Sequence, residues 1–426
     1  MRFAVTELPE EGRNASEVLE DLAAAKVDDR DWRGGRVFSL VYSAGDAVHD
    51  LHGEALRLYS AENGLNVLAF PSIGRLSHDL VGWTSSLLGG DETGATGYLT
   101  SGGTESLLQA VKVARDTGRA RGINRPRIVA ARSAHAAFTK AAELFDVELV
   151  RVDVDERFRI DLDQAAAAID VSTIMLIGSA PSYPHGVIDP IGELGQLALD
   201  HGLLLHVDAC LGGLLLPWLV EAGHVNVPFD LTVPGVTSIS ADLHKYGYAS
   251  KGVSVILYND ADLARHQLFV TSDWMGGFYA STVMAGTRPA GPVAAAWATM
   301  QHLGRTGYRR LAEETWVAAR RLIDGVGTID GLRVLGDPDM TVLTIAADDG
   351  REIDVFAVAD RLAEVGGWYL DRQTDPDALH LTVHAGSAAA VEPFLEDLAT
   401  VVAGIGDERS SDRSAPYATD RFATDR

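Results

Sequence analysis

The chain has 426 residues, of which 46% are hydrophobic and 23% charged, and its net charge is −24. That length can bury a large core in more than one structural unit. The negative charge argues against a nucleic-acid surface, which needs clustered Lys and Arg, and against an anionic membrane.

The first residues, Met1–Glu7, turn acidic quickly and lack a signal-peptide core. Ala15–Leu22 offers a serine cap and apolar spacing for a helix. Trp32–Arg36 is a turn-rich break, Val41–Asp46 is extended, and a helical pattern follows through Tyr59. After the loop Glu62–Asn66, a helix is predicted from Ile73 to Leu88. From Tyr98 the pattern alternates. Strands are predicted at Gly97–Leu99, Arg127–Ala131, Val147–Val154, Thr173–Gly178, Leu203–Val207, Thr237–Ser240 and Ser254–Tyr258. Helices are predicted between many of them, near Glu105–Thr117, Ala134–Phe145, Leu162–Ile169 and Ile191–His201. Apolar strands alternating with helices argue for an α/β fold with a mostly parallel sheet covered on both faces. Ligands of such sheets gather at the carboxyl ends of the strands. A long helix is predicted from Tyr308 to Val326. Strands at Leu332–Val334, Val342–Ala346 and Leu379–Val383, with helices near Asp354–Val365 and Ala388–Val402, describe a smaller C-terminal α/β unit. From Asp407 the chain is polar and without apolar periodicity, which predicts a disordered tail. The expected division is an N-terminal segment (1–60), a large domain (61–305), a small domain (306–405) and the tail (406–426). No apolar run is long enough to cross a bilayer. The single cysteine, Cys210, excludes an intramolecular disulfide and fits a reducing compartment, so the cytoplasm is the expected location.

Lysine is scarce, with five residues against 31 arginines. One of the five, Lys245, stands beside His244 where a predicted strand gives way to a loop. A lysine amine forms an imine with an aldehyde, and an arginine does not. Ser101-Gly102-Gly103-Thr104, at a strand-to-helix turn, offers backbone N–H groups and a hydroxyl to a phosphate. It is not Gly-x-Gly-x-x-Gly, which counts against a dinucleotide-binding dehydrogenase. Asp208 ends a buried apolar run, where a carboxylate needs a partner such as a protonated pyridine nitrogen. Each feature has a plainer alternative: a solvated lysine, a helix cap, an aspartate in a turn. His206 reads as a core histidine and Cys210 as a small buried hydrophobe. His49 and His52 share a helix face but lack a third ligand, so no metal site is expected. No Gly-x-Ser-x-Gly supports a serine hydrolase.

In chain order, Thr100–Ser106, His135 within Ser133–Phe138, His206–Ala209 and Ser238–Tyr248 resemble four motifs of pyridoxal-phosphate enzymes with the aspartate aminotransferase fold (fold type I). These are the phosphate cradle, the ring-stacking histidine, the pyridinium-nitrogen aspartate and the imine lysine. The wording resembles the group II decarboxylase superfamily, and Ser240–Gly252 is most similar to its sphingosine-1-phosphate lyase family. The resemblance runs from about Trp32 to about Pro292. It implies pyridoxal 5'-phosphate held as a Schiff base by Lys245. Ser101, Gly102, Gly103 and Thr104 would take its phosphate, His135 would lie flat on its ring, and Asp208 would meet its nitrogen. Ala180 would lie beneath the ring, in the loop Ala180–Pro190. Ser240 and His244 would adjoin the cofactor, with His244 either on the phosphate or acting as an acid–base group. Gly286, Thr287 and Arg288 match a stretch that reaches the partner subunit's cofactor phosphate, which implies a homodimer with shared active sites. Around the substrate the resemblance implies Tyr42, Tyr183, Lys251 and Arg288. Asn66 stands where the family carries a histidine, so part of the phosphate pocket is kept and part altered. The implied activity is carbon–carbon bond cleavage of a small-molecule amine. It is either a retro-aldol step on a phosphorylated amino alcohol or the decarboxylation of an amino acid, since both use the same electron sink. A non-catalytic binding protein on this fold would have no need of an intact Lys245, Asp208 and His135.

Overall fold

In the computed structural model, which describes residues 7–416, a seven-stranded sheet organises the larger part of the chain. Its strands are β1 (Thr96–Thr100), β2 (Arg127–Ala131), β3 (Glu148–Val152), β4 (Thr173–Ser179), β5 (Leu204–Asp208), β6 (Ser238–Ala241) and β7 (Ser254–Tyr258). They lie in the order β1-β7-β6-β5-β4-β2-β3, and only β7 runs against its neighbours. Every residue of β4 to β7 is buried. That is why these stretches read as continuous apolar runs rather than as alternation. Successive side chains still point to opposite faces. Leu176 joins one core with Val129, Leu205 and Ile239, while Met175 and Ile177 join another with Ile128 and Phe138. Helices Gly103–Ala120 and Ala137–Phe145 cover the second face, and Ile191–His201 packs on the first. Each large apolar side chain withdrawn from water contributes roughly 1.5–3 kcal/mol. The sheet is therefore a rigid platform for the loops at its carboxyl edge.

A two-stranded hairpin, β8 (Phe269–Thr271) and β9 (Tyr279–Ser281), follows the large sheet. The second unit is an antiparallel sheet of β10 (Leu332–Val334), β11 (Val342–Ala347), β12 (Asp371–Gln373) and β13 (Ala378–Thr382). Its order is β10-β11-β13-β12, and helices Val355–Gly366 and Val391–Gly404 pack on it. The N-terminal segment crosses this unit: Phe38 stacks on Trp368 at 5.9 Å and packs on Phe394 at 5.0 Å.

Three expectations are corrected. The first helix, Ala15–Ala24, is capped by Asn14 rather than by a serine; the Asn14 side chain accepts the Ser16 N–H at 2.9 Å. None of its residues is buried. The long helix starts at Gly291, not Tyr308, and is interrupted at Gly304 (φ 53°, ψ −179°). Glycines at 304 and 307 hide its first half, which Ala294 and Ala295 hold against Ala55 of helix Asp46–Leu58. The described part of the predicted tail is docked. Arg413 pairs with Asp354 at 2.7 Å and lies over the Phe356 ring at 4.7 Å. Such anchoring is tertiary, so local composition does not reveal it. Residues 417–426, the rest of that expectation, lie outside the described residues.

Candidate active site

Five strands, β1, β2, β4, β5 and β6, end at one edge of the large sheet, and each delivers a motif residue at or just past its end. At the β6 exit the chain turns. The Lys245 N–H donates to the Asp242 carbonyl at 3.2 Å, and the Tyr248 N–H donates to the Lys245 carbonyl at 2.9 Å. Buried Tyr246 ties this turn to the second unit. Its hydroxyl lies 2.7 Å from Thr341 Oγ1 and donates to the Val383 carbonyl at 2.7 Å.

Lys245, Asp208, His135 and His244 line one cavity of about 280 Å³ with the Ser101–Thr104 turn. Asp208 is held from behind: its Oδ1 accepts the Cys210 N–H at 3.1 Å and the Ser240 hydroxyl at 3.5 Å. Ser240 is fully buried there and also accepts the Cys210 thiol at 3.2 Å. The Ala180 N–H donates to the Asp208 carbonyl at 2.8 Å, so Ala180 sits beside that strand end. His135 Nδ1 accepts the Ala137 N–H at 3.0 Å. Burial lowers the His135 pKa, Lys245 adds to this, and Asp208 and Asp242 oppose it; the ring is a neutral imidazole at pH 7. His206 is a satisfied core histidine, 2.9 Å from Ser238 Oγ, with burial taking its pKa down to about 4.

The helix Gly103–Ala120 opens at this cavity, with its N-terminal N–H groups toward it. Gly102, at φ +153° and ψ 169°, and Gly103 let the turn approach closely. A Cβ on Gly103 would fall 2.7 Å from Asp242 Oδ2 and 2.9 Å from Cys210 Sγ. Ser101 lines the cavity with them and also ties back to its own helix. Its N–H and its hydroxyl both donate to Glu105 Oε2, at 2.7 and 2.6 Å. Gly102, Gly103 and Thr104 line the cavity beside it.

Tyr42 and Lys251, far apart in sequence, meet beside Lys245. Lys251 Nζ lies 5.1 Å over the Tyr42 ring and donates to the His244 carbonyl at 3.2 Å. Although Lys251 is exposed as a residue, desolvation of its amine, with Lys245 nearby, pulls its pKa down to about 8. His244 Nδ1 accepts the Val253 N–H at 3.3 Å, and burial lowers its pKa.

The remaining candidates lie elsewhere. Thr287 and Arg288 line a neighbouring cavity of about 820 Å³ between helix Pro71–Leu87 and β1. There the Arg288 guanidinium donates to the Gly64 carbonyl of its own chain, and Asn63 Nδ2 donates to Thr287 Oγ1 at 3.3 Å. Gly286 is half-buried beside them. Asn66 is exposed, and its Oδ1 accepts the Leu68 N–H at 3.0 Å. The Tyr183 hydroxyl donates to Asp371 at 2.9 Å and its ring stacks on His380 at 4.0 Å, at the mouth of a third cavity that His135 also lines. His49 and His52 bond Ser43 and Thr299, at 3.0 and 2.9 Å. Among the described residues, no group of three His, Cys, Asp or Glu is placed to hold a metal.

Sequence reasoning passed over three residues in the site: Asp242, Cys210 and Glu105. Asp242 Oδ2 is 2.9 Å from Lys245 Nζ. An acid three residues before the lysine was the available signal. Cys210 lies two residues past Asp208 and so returns to the same side of the strand exit.

One cavity thus holds an amine, a carboxylate, a neutral imidazole and a helix N-terminus. This donor set fits an aldehyde-bearing, phosphorylated pyridine. Residues 2–344 match the pyridoxal-dependent decarboxylase conserved domain. The chain belongs to the pyridoxal-dependent decarboxylase family. Its cofactor is pyridoxal 5'-phosphate and it is a lyase. Among relatives, the sphingosine-1-phosphate lyase of Arabidopsis thaliana is 41% identical over 394 residues, covering 91% of this chain and 72% of that protein. That of Rattus norvegicus is 39% identical over 398 residues, covering 92% and 69%. A Burkholderia pseudomallei sphingosine-1-phosphate lyase structure superposes with a TM-score of 0.90 at 39% identity, covering 94% of this chain and 93% of that one. These neighbours establish fold type I for this family member.

Proposed function

We propose that this family member is a sphingosine-1-phosphate lyase-like aldehyde-lyase acting on a phosphorylated amino alcohol. The observation that carries the reading is the meeting of Tyr42 and Lys251 beside Lys245. A cation next to a cofactor-bearing lysine suits a substrate phosphate. The relatives named for the same activity support it. The cavity of about 820 Å³, lined by Val67, Ile73, Val81 and Leu99 among others, offers apolar surface for a long chain.

In this reading Lys245 Nζ holds the cofactor and Asp208 keeps a proton on its ring nitrogen. The neutral face of His135 lies on the ring, and the N–H groups of Gly102, Gly103 and Thr104 bind its phosphate. When bound, the cofactor supplies an electron sink for the carbon that bears the substrate amine. Lys251 places the substrate phosphate, which fixes the neighbouring carbon–carbon bond for cleavage to an aldehyde and a shorter amine. His244 contacts the cofactor phosphate or moves the hydroxyl proton. The deciding experiment incubates the protein with sphingoid phosphates and amino acids and assays aldehyde and carbon dioxide. Aldehyde from a sphingoid phosphate supports the reading. Carbon dioxide from a simple amino acid, with no aldehyde, replaces it with an amino-acid decarboxylase. One observation favours that second reading: Asn66 is exposed and committed to its own loop, where the resemblance calls for a histidine.

The same reading makes the molecule a homodimer with shared sites. Its support is the apolar surface that one chain leaves open: Trp274, Met275 and Phe278 are 60%, 106% and 72% exposed, and helix Ala15–Ala24 buries no residue. Sedimentation would test it. The division at residues 60, 305 and 405 has the two sheets as its support, and limited proteolysis would test the boundaries. A cytoplasmic location agrees with the reduced, buried Cys210, and cell fractionation would test it.

A further inference from the structure

Asp242 is in the site without a role in the reaction described above. It is 1% exposed. Its Oδ2 lies 2.9 Å from Lys245 Nζ and 3.7 Å from His244 Nε2. On its other side, Gly103 packs against the same oxygen. A buried carboxylate is stable as an anion only with cations and donors around it. Burial pushes its pKa up; Lys245, His244 and the Ser254 hydroxyl outweigh this and hold it below the usual carboxylate range. The other ionisable groups facing the pair are Asp208 at the end of β5, Cys210 past it, His135 past β2, Glu105 in the first turn of helix Gly103–Ala120, and Lys251 before β7. Cys210 is an uncharged thiol, because burial raises its pKa well above the usual range.

We propose that Asp242 is the counter-ion that receives Lys245 whenever the lysine amine is not bonded to the cofactor. The inference rests on Lys245 being the cofactor-bearing lysine. A substrate amine enters as an ammonium ion and loses two protons as its nitrogen forms the double bond to the cofactor carbon. The double bond from that carbon to Nζ, which already carries one proton, breaks with both electron pairs staying on Nζ. Nζ takes up the two protons that the substrate lost, so no outside acid is needed. The resulting ammonium docks on Asp242, which favours its charged form. Asp242 is thus a positioning residue. It fixes where the displaced lysine waits and keeps it next to the carbon to which it must return.

The test uses the full chain depleted of cofactor. Its lysines are acylated across a range of pH and read by peptide mass spectrometry, with exposed Lys26 as the internal reference. Burial alone would move the Lys245 labelling midpoint below that of Lys26, whereas pairing with Asp242 places it at or above. Asp242→Asn should raise Lys245 labelling below the midpoint by about tenfold relative to Lys26. Asp242→Glu should restore most of the protection. A wild-type midpoint clearly below that of Lys26 overturns the proposal. So does an Asn variant with unchanged near-UV circular dichroism that labels like wild type. If the Asn variant fails to fold, the wild-type midpoint decides. The parent reading is checked separately, by borohydride reduction of the loaded wild-type protein and peptide mapping. An adduct away from Lys245 ends that reading, and the proposal with it, even where the labelling shows the ion pair.

Discussion

Two cavities meet at Ser101 and Glu105, and they differ in kind. The smaller, about 280 Å³, is walled by polar side chains that answer one another within one chain: Lys245 with Asp242, and Asp208 with donors behind it. The larger, about 820 Å³, is bounded by the loop around Gly64 and by the arm that carries Thr287 and Arg288. Next to that arm stand the exposed Trp274, Met275 and Phe278. The residues proposed for the cofactor chemistry stand together at the sheet edge of one chain. The larger cavity is bounded by loops, beside apolar area that one chain leaves exposed.

The sharpest break of this comparison is at the small cavity. Lys245→Ala should lower kcat by on the order of 10³-fold or more, because no other group can form the covalent link. The loss should be the same for every substrate in a steady-state assay. Loss on only some substrates would mean that the lysine belongs to selection rather than to chemistry.

Next in size is the division of labour between chains. Lys245→Ala and Arg288→Ala chains, each inactive alone, are mixed and allowed to exchange. If Arg288 serves its partner's site, about one quarter of wild-type activity should return, since half the dimers are mixed and each carries one intact site. No recovery after confirmed exchange would assign Arg288 to its own chain, where it bonds Gly64.

A smaller effect concerns Lys251. With a pKa lowered to about 8, its amine is charged below that pH and neutral above it. For a phosphorylated substrate, kcat/KM should therefore fall as pH rises through about 8. Lys251→Ala should remove that fall and cost about tenfold at neutral pH. For an unphosphorylated amino acid the same variant should be nearly silent. The smallest effect belongs to Asn66→His. A charged contact adds roughly 1 kcal/mol, so activity on sphingosine phosphate should rise by no more than about fivefold. The variant also gives up the turn bond from Leu68, so a gain would place this exposed loop at a substrate phosphate.

The strands and the motifs at their ends were legible in the sequence, because strands buried on both faces leave long apolar runs that stop abruptly at Asp208 and near Lys245. Lys251 and Tyr42 were legible only through resemblance, since nothing local links residues so far apart. Asp242 escaped because burial of a carboxylate is a property of the packed state, with Gly103 arriving from the helix that follows β1. The contact of Ser101 with Glu105 escaped for a related reason. Sequence shows a donor but not that Glu105 already occupies it. Short strands such as β8, β9 and β12 are three residues each, too few for periodicity to register. The first half of the long helix was masked by Gly304, which breaks the pattern without ending the element.

Glu105 carries a mechanical consequence. One oxygen of its carboxylate takes both donors of Ser101, and the other accepts the Met284 N–H at 2.6 Å. The side chain is a rigid strut between the first turn of helix Gly103–Ala120 and the arm leading to Arg288. One carboxylate thus joins the turn at the mouth of the small cavity to the arm that borders the large one, so Glu105→Gln would loosen both at once.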